Sequence, residues 1–161
     1  MAYWIRIRIS TQSLELIEPD GSVRERYSVS TALNGVGQVE GSGQTPLGRF
    51  IVRAKIGAGL SEGAVLVGRR PTGEIYSAKL GAEFPERDWI LSRILWLSGT
   101  EPGINRLGRV DTMRRYIYIH GTPDSEGVGV PKSHGCIRMR NQDIIPLFEL
   151  VSAYTPVVIE I

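Results

Sequence analysis

The only cysteine of this 161-residue chain sits in the run Ser133-His134-Gly135-Cys136-Ile137-Arg138-Met139. Both of its histidines are close by: His134 two positions before the thiol, and His120 sixteen before it, in Tyr118-Ile119-His120-Gly121-Thr122. A thiol attacks as thiolate, and a neighbouring imidazole is the usual means of generating one near neutral pH. A lone cysteine is more often a small buried hydrophobe. Three features point to chemistry here instead: a glycine directly before Cys136, a Ser-His pair before that glycine, and a second histidine preceded by an alternating apolar run. Cys136 is therefore read as a nucleophile.

The two histidines are separate candidates for its base. In an extended segment residues i and i+2 point the same way, which puts His134 within reach of the sulfur. His120 comes from another element and approaches from the side. Gly135 has its own physical reason. Attack on an amide carbonyl creates an oxyanion on which backbone N–H groups must converge, and a residue without Cβ lets substrate come close to the backbone. Ser133 is a candidate for bonding the substrate or shaping the loop. Arg138 is a candidate fork for a substrate carboxylate, with a surface ion pair as the competing reading. Two His and one Cys do not have zinc-site spacing, and zinc would occupy the thiolate. No metal and no cofactor is expected.

His120-Gly121-Thr122 followed by Ser133-His134-Gly135-Cys136-Ile137-Arg138-Met139 resembles the signature of the L,D-transpeptidase catalytic domain, whose members act on the peptide stems of bacterial peptidoglycan. Thr45-Pro46-Leu47-Gly48-Arg49-Phe50 resembles that family's Thr-Pro-x-Gly-x-Phe element. Ser92 to Leu97, followed by Glu101-Pro102-Gly103, is similar to a segment of many bacterial members. Some members carry Asn two residues after the Cys, where this chain has Arg138. The resemblance implies a β-sandwich-like catalytic fold with Cys136 and His120 on neighbouring strand ends. It implies His120 as base, its ring oriented by a backbone carbonyl around Gly121 or Thr122; His134 is then read as a hydrogen-bonded wall of the catalytic site, with direct proton transfer as the competing role. The N–H groups of His134, Gly135 and Cys136 would form the oxyanion hole. Ser133, Gly121 and Arg138 would face the substrate, a tetrapeptide stem or muropeptide that forms a thioester on Cys136 and releases D-alanine. Water would then give a tripeptide, and an amine an L,D-crosslink. Carbapenem-type β-lactams would acylate the same thiol.

Length and composition frame those expectations. A chain of 161 residues is the size of one domain able to bury most of its unfolded surface, so residues 1–161 are read as a single domain. The net charge is only +2, and arginine supplies 16 of the 19 basic residues, scattered along the chain. That pattern leaves no nucleic-acid footprint. No apolar run approaches the ~18 residues of a membrane span. Tyr3 to Ile9 carries two arginines inside the first apolar stretch, which reads as a strand and not as a secretory signal. As written the chain is expected in the cytoplasm, with hydrolysis slightly favoured over crosslinking. A signal removed before residue 1 would place it in the envelope and reverse that preference. The rival of another class is a non-catalytic peptidoglycan-binding module, which an intact Cys with both histidines argues against. A papain-type peptidase is excluded, since no histidine follows Cys136.

The elements that must position the site read as mainly β. Tyr3, Ile5, Ile7 and Ile9 share one strand face. Ser13–Ile17 and Val23–Val29 form a hairpin about Pro19-Asp20-Gly21-Ser22. Asn34 to Gly43 is a glycine-rich loop, and Phe50–Val52 and Ala64–Val67 are strands. Arg69 to Arg115 reads as long and irregular, a lid or binding wall, with Trp89 and Trp96 packing in it. Arg115 to His120 is a strand delivering His120 at its end. Asn141 caps a helix whose buried face is Ile144, Leu147, Phe148 and Val151. Pro146 forces that helix to start late or on a 3₁₀ turn. Thr155–Ile161 closes the chain as a strand, with Val157, Ile159 and Ile161 on one side.

Overall fold

Alternating burial builds the first strands of the structure, a computed structural model that describes residues 2–161. In β1 (Trp4–Arg8), Ile5 and Ile7 are fully buried, while Arg6 on the opposite side pairs with Glu15 at 2.8 Å. β2 (Ser13–Ile17) and β3 (Val23–Ser30) form the expected hairpin. Gly21 closes its turn at a φ of +90°, which only glycine adopts without strain.

The remaining strands are β4 (Gly48–Ile56), β5 (Ala64–Val67), β6 (Arg70–Ile75), β7 (Ile90–Gly99), β8 (Tyr118–Thr122), β9 (Ile137–Arg140) and β10 (Pro156–Glu160). They pair in the order β4-β10-β1-β2-β3-β9-β8-β7, and β7 returns to pair with β4. Eight strands thus close into a circuit with no free edge between them, the arrangement that removes unpaired backbone groups. β5 and β6 hang from the start of β7 as a side hairpin. Inside the circuit lies one apolar core, including Ile5, Ile7, Phe50, Leu95, Leu97, Ile119, Ile137 and Met139. Helix α2 (Asn141–Leu150) packs into the same core through Ile144, Leu147 and Phe148. The mainly β, sandwich-like expectation with one main helix near the C-terminus agrees with this architecture. Among the described residues no helix is long and apolar enough to cross a membrane.

Several local expectations need correction. The stretch from Arg69 to Arg115 is not irregular: it holds β6, a short helix α1 (Ala78–Glu83) and the ten-residue β7. β7 lacks a period of two because seven of its ten residues are buried, on both faces, and a bulge between Leu91 and Ile94 breaks what alternation remains. Trp89 does pack, edge-on against Tyr76 with ring centres 5.0 Å apart. Asn141 does not cap α2. Arg140 stands at the cap position without a side-chain bond, and Asn141 is the first helical residue, its amide used elsewhere. Pro146 sits inside α2, which nonetheless runs from Asn141. Pro146 and Gln142 are both exposed, so solvent serves the Gln142 carbonyl that the proline cannot reach. Ile161 lies beyond β10 and is exposed.

Candidate active site

Two parallel neighbours assemble the site. β8 and β9 pair with Ile119 opposite Ile137, His120 opposite Arg138 and Gly121 opposite Met139. Side chains alternate across a strand, so Ile119, Ile137 and Met139 enter the core while His120 and Arg138 share the outer face. Cys136, one residue before β9, falls on that outer face too. His120 is therefore mid-strand, not at the strand end as expected from the sequence. Arg115 and Tyr116 precede β8 in a turn, where Asp111 and Met113 carbonyls accept from their N–H groups and Tyr116 takes a φ of +56°. Parallel strands need a long crossover, and the crossover here carries Ser133, His134 and Gly135 to the nucleophile.

Cys136 is half-buried. Its Sγ accepts from the Tyr118 N–H at 3.3 Å, and its S–H donates to the Tyr116 carbonyl at 3.3 Å. Burial pushes the thiol up to about 12, with the Asp88 carboxylate acting the same way and the Tyr118 N–H, Arg138 and Arg115 opposing. The resting sulfur is thus a protonated thiol. Gly135 adopts a φ of +134°, and a Cβ there would stand 3.1 Å from Ile117 Cδ1 and 3.2 Å from the Gln44 carbonyl. Ser133 is buried and faces inward: its Oγ donates to the Cys136 carbonyl at 2.5 Å and accepts from the Gly135 N–H at 3.1 Å. It braces the turn from the wall of the same cleft that Cys136 and His120 line. The N–H groups of His134 and Cys136 have no partner among the described residues, whereas that of Gly135 is taken by Ser133.

His120 is fully enclosed, 1% exposed, with Nδ1 2.7 Å from the Gly121 carbonyl. A carbonyl only accepts, so Nδ1 carries the hydrogen and Nε2 is left as the basic nitrogen. Burial depresses the imidazole below its ordinary value, partly offset by the Gly121 carbonyl and Asp88, so it rests neutral. His134 is exposed on the wall of the cleft, and its side chain has no hydrogen-bond partner among the described residues. The hydrogen-bonded histidine expected there is thus a wall without that bond. Arg138 is only 12% exposed at its side chain and bridges Glu126 at 3.2 Å and Asp88 at 3.4 Å. The ion-pair reading of Arg138 is what the geometry displays.

Gly121 does not line the cleft. A Cβ on it would strike Asn141 Oδ1 and lie 2.5 Å from the Leu91 carbonyl, so it permits close packing behind His120. Asn141 completes that support, accepting from Ser92 Oγ at 2.6 Å and donating to the Thr122 carbonyl at 3.0 Å. On the other flank Thr45 Oγ1 accepts from the Ala32 N–H and donates to the Gly135 carbonyl, both at 3.0 Å. Thr45 belongs to the Thr-Pro-x-Gly-x-Phe element, which was its only signal in the sequence. Sequence reasoning also passed over Asp88, Arg115 and Tyr116.

These residues enclose a cleft of about 180 Å³, lined by Asp88, Arg115, Tyr116, His120, Cys136 and Arg138 among others. Across Arg115, Tyr116, Ile117 and His134 lies an open hollow of about 400 Å³, bordered by Glu40, Gly41, Gly43 and Arg114. Another hollow of about 410 Å³ on the β2–β3 hairpin contains neither imidazole nor thiol. Among the described residues no group of three or more His, Cys, Asp or Glu is placed to hold a metal ion.

Comparison with known proteins identifies the fold and the family. The probable L,D-transpeptidase YbiS of Escherichia coli K12 is 51% identical over 43 residues, 27% of this chain and 14% of that protein. An L,D-transpeptidase structure from Mycobacterium smegmatis superposes with a TM-score of 0.56 at 17% identity, covering 99% of this chain and 58% of its own. L,D-transpeptidase 3 of Mycobacterium tuberculosis, in complex with a faropenem-derived adduct, gives 0.60 at 16% identity, covering 99% and 60%. An Enterococcus faecium L,D-transpeptidase gives 0.58 at 19% identity, covering 99% and 50%. The chain thus spans half to three-fifths of these solved proteins, and at such identities they establish the fold alone. The YkuD profile, the L,D-transpeptidase catalytic domain, matches residues 2–159. The chain belongs to the L,D-transpeptidase catalytic domain family.

Proposed function

We propose that the protein is a cysteine acyltransferase acting on peptidoglycan tetrapeptide stems. The observation that carries the reading is the placement of Cys136 and His120 on one outer face, the imidazole presenting a free Nε2 beside a turn with two unpartnered N–H groups. Sγ attacks the carbonyl of the third stem residue, an L-centre such as meso-diaminopimelate, while Nε2 takes the thiol proton. The N–H groups of His134 and Cys136 receive the oxyanion, and Gly135 adds its own if Ser133 Oγ releases it. As the C–N bond breaks, the imidazolium returns its proton to the amine of D-alanine, leaving a thioester on Cys136. Both groups start neutral, so thiol deprotonation accompanies attack instead of preceding it.

Water resolves the thioester to a tripeptide, and an amine resolves it to a 3–3 crosslink. The open hollow next to the cleft supports a seated amine acceptor, so crosslinking is the preferred second half. β-Lactams are expected to acylate the same sulfur, in line with the faropenem-derived adduct on the Mycobacterium tuberculosis relative.

Mass spectrometry of the protein with a tetrapeptide stem or a carbapenem tests the reading. A covalent adduct confined to Cys136, absent from Cys136→Ala, is expected. An adduct on the alanine variant would end the assignment. Chromatography of products from a tetrapeptide incubation then separates the two second halves: free tripeptide dominating over dimers at all stem concentrations would refute the amine reading.

A further inference from the structure

Two arginines line the cleft, and they differ in compensation. Arg138 is bracketed by Glu126 and Asp88, so its charge is already matched. Arg115 has no carboxylate within ion-pair distance among the described residues. Its Nη1 donates to the Gly37 and Gln38 carbonyls, both at 3.2 Å. Its Nη2 donates to the Gln44 carbonyl at 2.6 Å and Ser42 Oγ at 3.4 Å. Every acceptor is neutral, and Nε–H has no partner among the described residues. Glu40 influences Arg115 from farther off, and its own pairing, at 3.7 Å, is with Arg109.

Position matters as much as charge. Arg115 is half-buried and lines both the cleft and the adjoining hollow, which Arg138 does not reach. Burial opposes its charged form, and the Cys136 sulfur lies near enough to favour it once ionised. The four bonds hold the guanidinium to the loop from Gly37 to Gln44, so it cannot swing into solvent. A fixed, partly desolvated cation with a free donor is prepared for an anion before the anion arrives.

We propose that Arg115, and not Arg138, recognises the α-carboxylate on the leaving side of the scissile bond. The inference rests on the acyl-transfer reading above and names the group that reads the stem's end. In a tetrapeptide stem the terminal D-residue carries its carboxylate one carbon from the scissile nitrogen. An acceptor amine on the D-centre of a diamino acid carries one in the same relation. One cation therefore serves the departing residue and the entering amine alike, and a stem whose terminal carboxylate is masked loses the contact.

The test uses the full chain carrying Cys136→Ala, which binds without turnover. Calorimetry compares a tetrapeptide stem with its C-terminal carboxamide. The free acid should bind ~10-fold or more tightly, the scale of a hydrogen bond to a charged group. Adding Arg115→Gln should erase the preference by weakening the acid alone, Arg115→Lys should keep most of it, and Arg138→Gln should leave it in place. Circular dichroism checks that each variant is folded; if Arg115→Gln is not, Arg115→Lys and the acid–amide comparison still decide. Equal binding of acid and amide, or a preference that survives Arg115→Gln and disappears in Arg138→Gln, overturns the inference while leaving the stem reading intact. Binding of neither ligand refutes the stem reading itself, and the inference with it.

Discussion

The Tyr118 backbone N–H points at Cys136 Sγ across 3.3 Å, while the thiol's own hydrogen goes to the carbonyl two residues earlier, at Tyr116. The sulfur rests between a donor and an acceptor of one strand start, and His120 is not its hydrogen-bond partner at rest. Tyr116 holds its carbonyl there in the left-handed conformation, φ +56°, which a bulky residue adopts at a cost. A strained backbone residue directly against a nucleophile is where such strain is usually found.

A thiol held this way should react slowly until substrate arrives. With Cys136 at about 12 against an ordinary 9.0, labelling of the free protein by iodoacetamide at pH 8 should run ~100-fold or more below that of a small thiol. The rate should still be climbing at pH 9. A labelling plateau below pH 8 would mean a preformed thiolate and would contradict the neutral pair.

The two histidines should separate cleanly. Removing the base that takes a proton in the transition state costs ~10²–10⁴ in rate, so His120→Ala should lose that much stem turnover. His134→Ala should lose less than about 10-fold, since its side chain is exposed and only walls the cleft. Steady-state kinetics in which the His134 variant is the weaker of the two would reverse the assignment.

The buried imidazole also links folding to pH. Its folded value lies below the ordinary 6.5 because burial disfavours the charged form. Below that ordinary value the unfolded chain takes up a proton that the folded chain does not, so unfolding is favoured as pH falls. The stability is fully present above 6.5 and is lost progressively as pH drops toward the folded value. Thermal melts from about pH 7.5 down to about 5 should decline more steeply for the wild type than for His120→Gln, which has no such proton. Parallel curves would show that His120 is not buried neutral.

How much of this was legible beforehand depended on sequence distance. Cys136, His120 and Gly135 were readable because their types and spacing lie in one short stretch. The hairpin about Asp20-Gly21 was readable because its turn chemistry is local. β7 was not, because a strand covered on both faces has no period to detect, and its Ser92 and Arg93 interrupt it at the bulge. The partners of Arg138 were out of reach as well: Asp88 is 50 positions away and Glu126 is 12. Only the fold brings them to one guanidinium. Arg115 read as the first residue of a strand, and only the turn at Tyr116 shows that its side chain goes to the glycine-rich loop instead. Asn141 had the right residue type for a cap, but the buried Ser92 hydroxyl and Thr122 carbonyl offered its amide better partners.

Those partners give the last prediction. Asn141 ties β7 to the end of β8, and Gly121 allows the close approach on which that tie depends. Its amide is buried, 6% exposed, so Asn141→Ala takes the acceptor from the Ser92 hydroxyl hydrogen, whose oxygen keeps the Gly63 N–H, and the side-chain donor from the Thr122 carbonyl. Leaving such groups unpaired costs about 1–3 kcal/mol each. Gly121→Ala acts on the same joint by overpacking, with a cost of about 1–3 kcal/mol as a methyl meets the Asn141 amide and the Leu91 carbonyl. The two substitutions share a contact, so their effects should not add. In Gly121→Ala/Asn141→Ala the alanine at 141 removes one of the two clashes of the new methyl and leaves that with the Leu91 carbonyl, so the double variant should be less destabilised than the sum of the singles. Denaturant titration of all four proteins measures this. The Gly121 carbonyl also orients His120, so Gly121→Ala should lower stem turnover beyond what its fraction unfolded explains, whereas Asn141→Ala, one shell farther out, should lower it less. Additive stabilities with unchanged turnover in both singles would show that this joint supports the fold without positioning the imidazole.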